Sequence, residues 1–203
     1  MGLLSASSSF TRYRIIEEVP ASLYREVPER LLRNAFRDID DTADERSFGW
    51  VSFENWLNPS WREAPPEKAD FFAFTMRLDT RRVAPAVFKK HFQLAIDAYK
   101  ESLEEGKRFV SKDRKKELKE QTRLKLMARA LPVPAVFDAA WNRRTNRLWL
   151  ATTNTKVRGL FEDLFTLTFD LHLEPLNPFF LGVSLLGEKA WDDLSEVDAA
   201  EFA

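Results

Sequence analysis

AVFDAAWNRRTNRLWLATTN, residues 135–154, decides the fold. Residues 135–142 and 147–153 are short apolar-rich runs, each carrying a tryptophan. Four polar residues, Arg143-Arg144-Thr145-Asn146, lie between them. Two such runs about a short polar joint read as a β-hairpin, and so as part of an antiparallel sheet. Asn154 or Thr155 then caps a helix whose Val157, Leu160, Phe161 and Leu164 share one face.

Upstream of the hairpin, Pro132 and Pro134 stop a helix that Ser111 caps and that runs to about Ala130. Before it, Pro85 opens an amphipathic helix. Phe88, Phe92, Ala95, Tyr99 and Leu103 recur along it at three- and four-residue steps, and Glu104-Glu105-Gly106 closes it. ADFFAFTMRLD (69–79) and SFGWVSF (47–53) read as strands, with Gly49 at a bulge or a close approach of backbone. Residues 54–68 read as irregular connection. Residues 22–37 read as a helix broken at Pro28, with Leu23, Val27, Leu31, Leu32, Ala35 and Phe36 on one side. Residues 9–19 alternate as a strand whose apolar positions are Phe10 and Ile16. Downstream, LHLEPL (171–176) is a final edge strand. The tail from Gly187 sets six acids against Lys189 and reads as a short helix followed by disorder. Helices and strands interleave without βαβ rhythm or glycine-rich turns. The expected class is therefore α+β, with mixed or antiparallel sheets and packed amphipathic helices. The expected domain covers residues 1–186, with 107–131 as the place for a break between two subdomains, and 187–203 form the acidic tail.

The 203 residues are 44% hydrophobic and include 17 Phe and 6 Trp, so rings are expected to carry much of the core. With no Cys and only His91 and His172, disulfide scaffolds, thiolate zinc sites and a Cys nucleophile are excluded. No metal and no cofactor are expected. MGLLSASSSF has no basic n-region and no real apolar core, and the longest uncharged stretch, 175–187, is too short to span a bilayer. A cytoplasmic protein without a membrane partner is expected.

Charge is the informative asymmetry. Residues 107–130 carry ten Lys or Arg against Asp113, Glu117 and Glu120. That is net +7 in a chain of net −1, which leaves the remainder at −8. At 100° per residue, Lys112, Lys116, Lys119 and Arg123 fall within about 60° of one another. Such a ridge suits a sugar–phosphate backbone, where each neutralised phosphate releases condensed counterion. A solvated helix face is the competing reading. Beyond Leu124, Leu126, Met127 and Leu131 suggest that the far end docks into the core.

Other candidate chemistry is weaker. Asp38, Asp40, Asp41, Asp44 and Glu45 offer carboxylates for a divalent cation, but a two-metal nuclease draws its acids from separate rigid elements. A solvated acidic loop is the expectation. Gly182-x₄-Gly187 has phosphate-loop spacing but lacks the following Lys-Ser/Thr. His91 reads as a packing or surface residue, and His172 as a partner for a carboxylate. No G-x-S-x-G or H-E-x-x-H occurs, so no catalytic residue is nominated. Trp50, Trp56, Trp61, Trp141 and Trp149 could stack on bases, but core positions are expected for most of them.

SFGWVSF (47–53), the Phe-rich strand after it, KKELKEQTRLKLMARAL (115–131) and AVFDAAWNRRTNRLWLATTN (135–154) occur in an order and spacing that resemble the bacterial recombination-associated protein RdgC family. The resemblance covers roughly residues 9–181. It departs in the Pro-rich insertion near 54–66 and in length, since family members commonly run about half as long again. It implies a mixed α/β protein that binds DNA without sequence preference, forms ring-like dimers with a basic inner surface, and restrains RecA filaments. An exonuclease label attached to the family finds no motif here. Of the family's features only the Lys/Arg-rich helix carries over, onto Lys115, Lys116, Lys119 and Arg123. With Lys107, Arg108, Lys112 and Arg114, these are the expected DNA-binding residues. The resulting expectation is a non-enzymatic, nucleoid-associated DNA-binding homodimer with a functional link to RecA. The alternatives are a metal-dependent nuclease using the 38–45 cluster and a protein–protein interaction module.

Overall fold

The computed structural model describes residues 2–42, 44–62, 64–103 and 109–198, and over these the chain is α+β. In chain order the elements are β1 (Thr11–Ile15), α1 (Leu23–Arg33), β2 (Arg46–Ser52), β3 (Glu67–Lys68), β4 (Phe71–Arg81), α2 (Pro85–Glu101) and α3 (Lys112–Met127). They continue as β5 (Pro132–Asn142), β6 (Arg147–Leu150), α4 (Thr155–Phe169), β7 (Leu173–Pro175), α5 (Pro178–Leu186), a 3₁₀ turn (Glu188–Ala190) and α6 (Trp191–Ser195). The strands form one sheet in the order β2-β4-β5-β6-β1-β7, with β3 added to β4 as a short hairpin. No described helix is long and apolar enough to cross a membrane.

The expected hairpin is β5–β6, antiparallel, with Trp141 opposite Leu148 and Ala139 opposite Leu150. Its turn is built by asparagines. The Asn142 side-chain oxygen accepts the N–H groups of Arg144 (2.9 Å) and Thr145 (3.0 Å). Asn146 takes the left-handed conformation (φ 50°) that its short side chain tolerates.

The chain forms two compact units: Met1–Phe36, Gly49–Arg77 and Val136–Ala203 make the first, and Arg37–Phe48 with Leu78–Ala135 the second. Described residues 109–131 fall within the second of these units.

In the first unit α4 presents Phe161, Phe165 and Phe169 at four-residue spacing, all buried. Trp50 and Trp141 are fully buried among them. The Trp50 ring lies 5.0 Å from Phe74 and 5.5 Å from Phe161, and the Trp141 ring 5.5 Å from Phe169. The Trp50 indole N–H donates to the Thr168 hydroxyl at 2.8 Å, so the polar edge of that ring is not stranded. Asn154 caps α4 by accepting from the N–H groups of Lys156 and Val157.

Two sequence expectations are corrected in this unit. On β1 the buried residues are Tyr13 and Ile15, whereas Phe10 (42%) and Ile16 (58%) are exposed. Tyr13 faces inward because its hydroxyl has partners there: it donates to Glu162 at 2.7 Å and accepts from Arg158 at 3.2 Å. Secondly, α1 runs through Pro28 unbroken but stops at Arg33, held by buried Leu23, Val27 and Leu31, while Leu32 is exposed. The chain then turns to run parallel to β2. The Phe36 N–H donates to the Trp50 carbonyl (2.9 Å) and the Trp50 N–H to the Asn34 carbonyl (3.0 Å). That approach explains Gly49, where a Cβ would come within 2.6 Å of the Phe36 backbone.

The second unit is a pair of helices around a small core. Ile96, Val110 and Leu118 are buried, with Phe92, Ala95 and Tyr99 packed on them. The Ser111 side chain caps α3 by accepting the Arg114 N–H at 3.2 Å. The far end of α3 does not dock as expected. Its buried residues are Leu118 and Thr122, whereas Leu126 and Met127 are half-buried and Leu131 is 78% exposed. The end of α2 expected at Glu104-Glu105-Gly106 lies outside the described residues, and the helix itself ends at Glu101.

Candidate nucleic-acid interface

Helix α3 is written in good helix formers, with Asp113 in its first turn and a Ser N-cap. Only a narrow stripe, Leu118 and Thr122 with half-buried Arg114, turns inward. The Thr122 hydroxyl is satisfied within the helix by the Leu118 carbonyl at 2.7 Å. Every other early position is free to be charged. Lys112, Lys116, Lys119 and Arg123 are all exposed, and exposed Lys115 lies beside them. From Lys112 to Arg123 the helix rises about 16 Å.

Among the described residues Lys112, Lys115, Lys116 and Lys119 form no ion pair, and Arg123 reaches only Glu45, at 4.0 Å. Arg114 is different. Its guanidinium pairs with Glu117 at 2.5 Å and lies 4.7 Å from the centre of the Tyr99 ring. Glu117 holds this already cationic group more firmly charged. Arg114 therefore braces α3 against α2, and its charge is turned away from the ridge. Lys107 and Arg108 lie outside the described residues.

The acidic loop has another explanation. Ile39 anchors it, buried to 3% exposure, while Asp38, Asp40, Asp41, Asp44 and Glu45 stay exposed. Its backbone carbonyls converge on Arg81, a 7% exposed guanidinium at the end of β4. Arg81 donates to the carbonyls of Ile39 (2.6 Å), Asp40 (3.1 Å), Thr42 (2.9 Å), Asp44 (3.0 Å) and Ala130 (2.5 Å). The loop is thus folded around a cation that the protein supplies itself. Among the described residues no group of three or more His, Asp or Glu is placed to hold a metal ion.

The remaining candidates fall into structural positions. His91 is exposed on α2. His172 meets the carboxylate expected of it: its ring nitrogen lies 2.5 Å from Glu17, and its N–H donates to Glu17 at 2.8 Å. Partial burial alone would raise the Glu17 carboxyl, but these hydrogen bonds outweigh it and hold the group below its usual range. Gly182 sits inside α5, which is no phosphate loop. Trp50, Trp61 and Trp141 are buried, Trp149 is half-buried, and Trp56 is 39% exposed.

Sequence reasoning missed Arg81. A usable signal existed in the Arg81-Arg82 doublet, where a strand ends just before a proline-started helix. It also missed Asp138, whose carboxylate accepts from the Thr75 hydroxyl (2.7 Å) and the Leu3 N–H (2.9 Å), fastening the N-terminal segment to the sheet. No protein-family model matches this chain, and the search of curated proteins returned no match either.

Proposed function

We propose that this chain is a sequence-independent DNA-binding protein that holds the phosphate backbone along α3. The observation carrying the reading is the ridge itself: Lys112, Lys116, Lys119 and Arg123 line one side of a capped helix, and among the described residues the one ion pair any of them makes is Arg123 with Glu45, at 4.0 Å. Cations left unneutralised along about 16 Å of helix match a polyanion in charge and in spacing. Contacts of this kind position a protein without reading sequence. The resemblance to the RdgC family supports the same reading. It extends the proposal to a nucleoid-associated role in recombination with a functional link to RecA.

Self-association belongs to the proposal. Leu181 (38%), Leu185 (84%) and Leu186 (69%) on α5 are exposed, and soluble proteins usually cover such apolar surface with a partner. The protein is read as a binder and not as a nuclease, because the 38–45 carboxylates point outward from a loop organised by Arg81.

Incubation with plasmid and Mg²⁺ tests both halves of the reading. Salt-sensitive retardation of intact plasmid is expected. Breakdown products would favour the nuclease, and mobility unchanged at low salt would remove DNA binding altogether.

A further inference from the structure

Beside the ridge, the second unit contains an open cleft of about 790 Å³, in the size range of pockets that take whole organic ligands. Two of the ridge residues, Lys119 and Arg123, form part of its wall, and exposed Arg82 adds a third cation. Arg81 also borders the cleft, but its guanidinium is committed to the loop carbonyls. Among the described residues Glu45 is the single acid of the lining. The rim is therefore cationic by two charges, with Arg81 left aside.

The rest of the lining is apolar. Phe88 and Val83, with Met127 from α3, are half-buried there. The Phe88 ring is fixed by stacking on Phe92, with centroids 5.9 Å apart and planes inclined by 13°. A ligand that fits must join a flat apolar body to a nearby anion. A nucleotide has that form. Duplex DNA keeps its base faces stacked inside and offers only phosphate, whereas an unpaired strand can turn a base out while its backbone stays on the cations.

We infer that this cleft holds an unpaired nucleotide of single-stranded DNA, its base stacked on Phe88 against Met127 and its phosphates on Arg82, Lys119 and Arg123. The inference rests on the proposed role of the ridge and names its preferred ligand. Stacking of this kind accepts any base, so binding remains independent of sequence.

The test is fluorescence anisotropy with a labelled oligo(dT) 20-mer and a 20-base-pair duplex. The proteins are the full chain, Phe88→Ala, Phe88→Leu and the double variant Lys112→Gln/Lys116→Gln, whose sites lie outside the cleft. Phe88→Leu keeps apolar volume against Phe92 and preserves the fold should Phe88→Ala not. Loss of a stacked base weakens binding between about fivefold and about a hundredfold. Both Phe88 variants are expected to lose that much on oligo(dT) and less than about twofold on the duplex. The lysine variant is expected to weaken both alike. A folded Phe88→Leu protein with the parent's ratio of single-strand to duplex affinity would overturn the cleft and leave the ridge standing. A lysine variant with unchanged affinities, alongside a selective Phe88 defect, would overturn the ridge and leave the cleft. A parent protein that binds neither DNA overturns both.

Discussion

Replacing Arg81 by Met should unfasten the 38–45 loop. Met fills most of the buried stem but removes five donated hydrogen bonds at once. Asp40, Thr42 and Asp44 are exposed, so their carbonyls can take water instead. The buried Ile39 carbonyl keeps the Thr42 N–H at 3.0 Å, so the half-buried Ala130 carbonyl is the acceptor left without full replacement. An acceptor stranded in this way costs about 1–3 kcal/mol. One such acceptor, offset in part by the apolar burial of Met, places the loss at about 1–2 kcal/mol. The readouts are far-UV circular dichroism in urea and amide hydrogen exchange over residues 37–48. All six tryptophans lie in the first unit, so Trp fluorescence reports on that unit alone and serves as the comparison. Arg81→Lys keeps the charge but offers three donors from one point, and should fall between Met and the parent. If Arg81→Met loses less than about 0.5 kcal/mol and exchange at 37–48 is unchanged, the guanidinium does not hold the loop.

Gly49→Ala should be among the most damaging small substitutions, because the new Cβ meets the Phe36 backbone and not a movable side chain. A loss at the upper end of overpacking effects, about 3 kcal/mol, is expected in urea unfolding. A loss below about 1 kcal/mol would mean the two segments separate easily. The carboxyl of Glu17 is held below its usual range by His172, so its contribution is present above the ordinary glutamate pKa, about 4.3, and fades as pH falls through the lower folded value. Glu17→Gln should therefore lower the melting temperature near neutral pH and converge with the parent in acid. A pH-independent difference would contradict that. On the C-terminal segment the Trp191 ring packs 4.8 Å from Phe179, so charge is better removed there by substitution than by truncation. Asp192→Asn/Asp193→Asn/Glu196→Gln should tighten DNA binding at low salt and match the parent at high salt, where screening acts within about 3 Å. Equal affinities at low salt would show that the tail charge is not felt by DNA.

The elements most legible in the sequence were those marked by local chemistry. Asn142 and Asn146 wrote the hairpin turn, Ser111 and Asn154 their caps, and Pro85 a helix start. What escaped depended on partners distant in sequence. TRYRII has apolar or aromatic residues at both parities, and only the Glu162 and Arg158 groups on α4 select Tyr13 as the inward one. The end of α1 is set by pairing with β2 through Gly49, which no helix periodicity reveals. For the candidate site, the ridge lysines were readable because charge and 100° spacing are properties of one helix. The tie between Arg114 and Tyr99 and the Arg81 cage were not. One joins two helices, and the other uses backbone carbonyls, which leave no trace in side-chain pattern.

If the ridge holds phosphate, the slope of log affinity against log salt must reflect it. Lys112→Gln/Lys116→Gln/Lys119→Gln/Arg123→Gln keeps good helix formers at exposed positions, so the fold should be retained. On single-stranded DNA each lost phosphate contact removes about 0.7 from the slope, so four remove up to about 2.8 per protomer. The weakening should be the same on every sequence. A folded quadruple variant with the parent's slope would contradict the account and leave α3 as a solvated helix face.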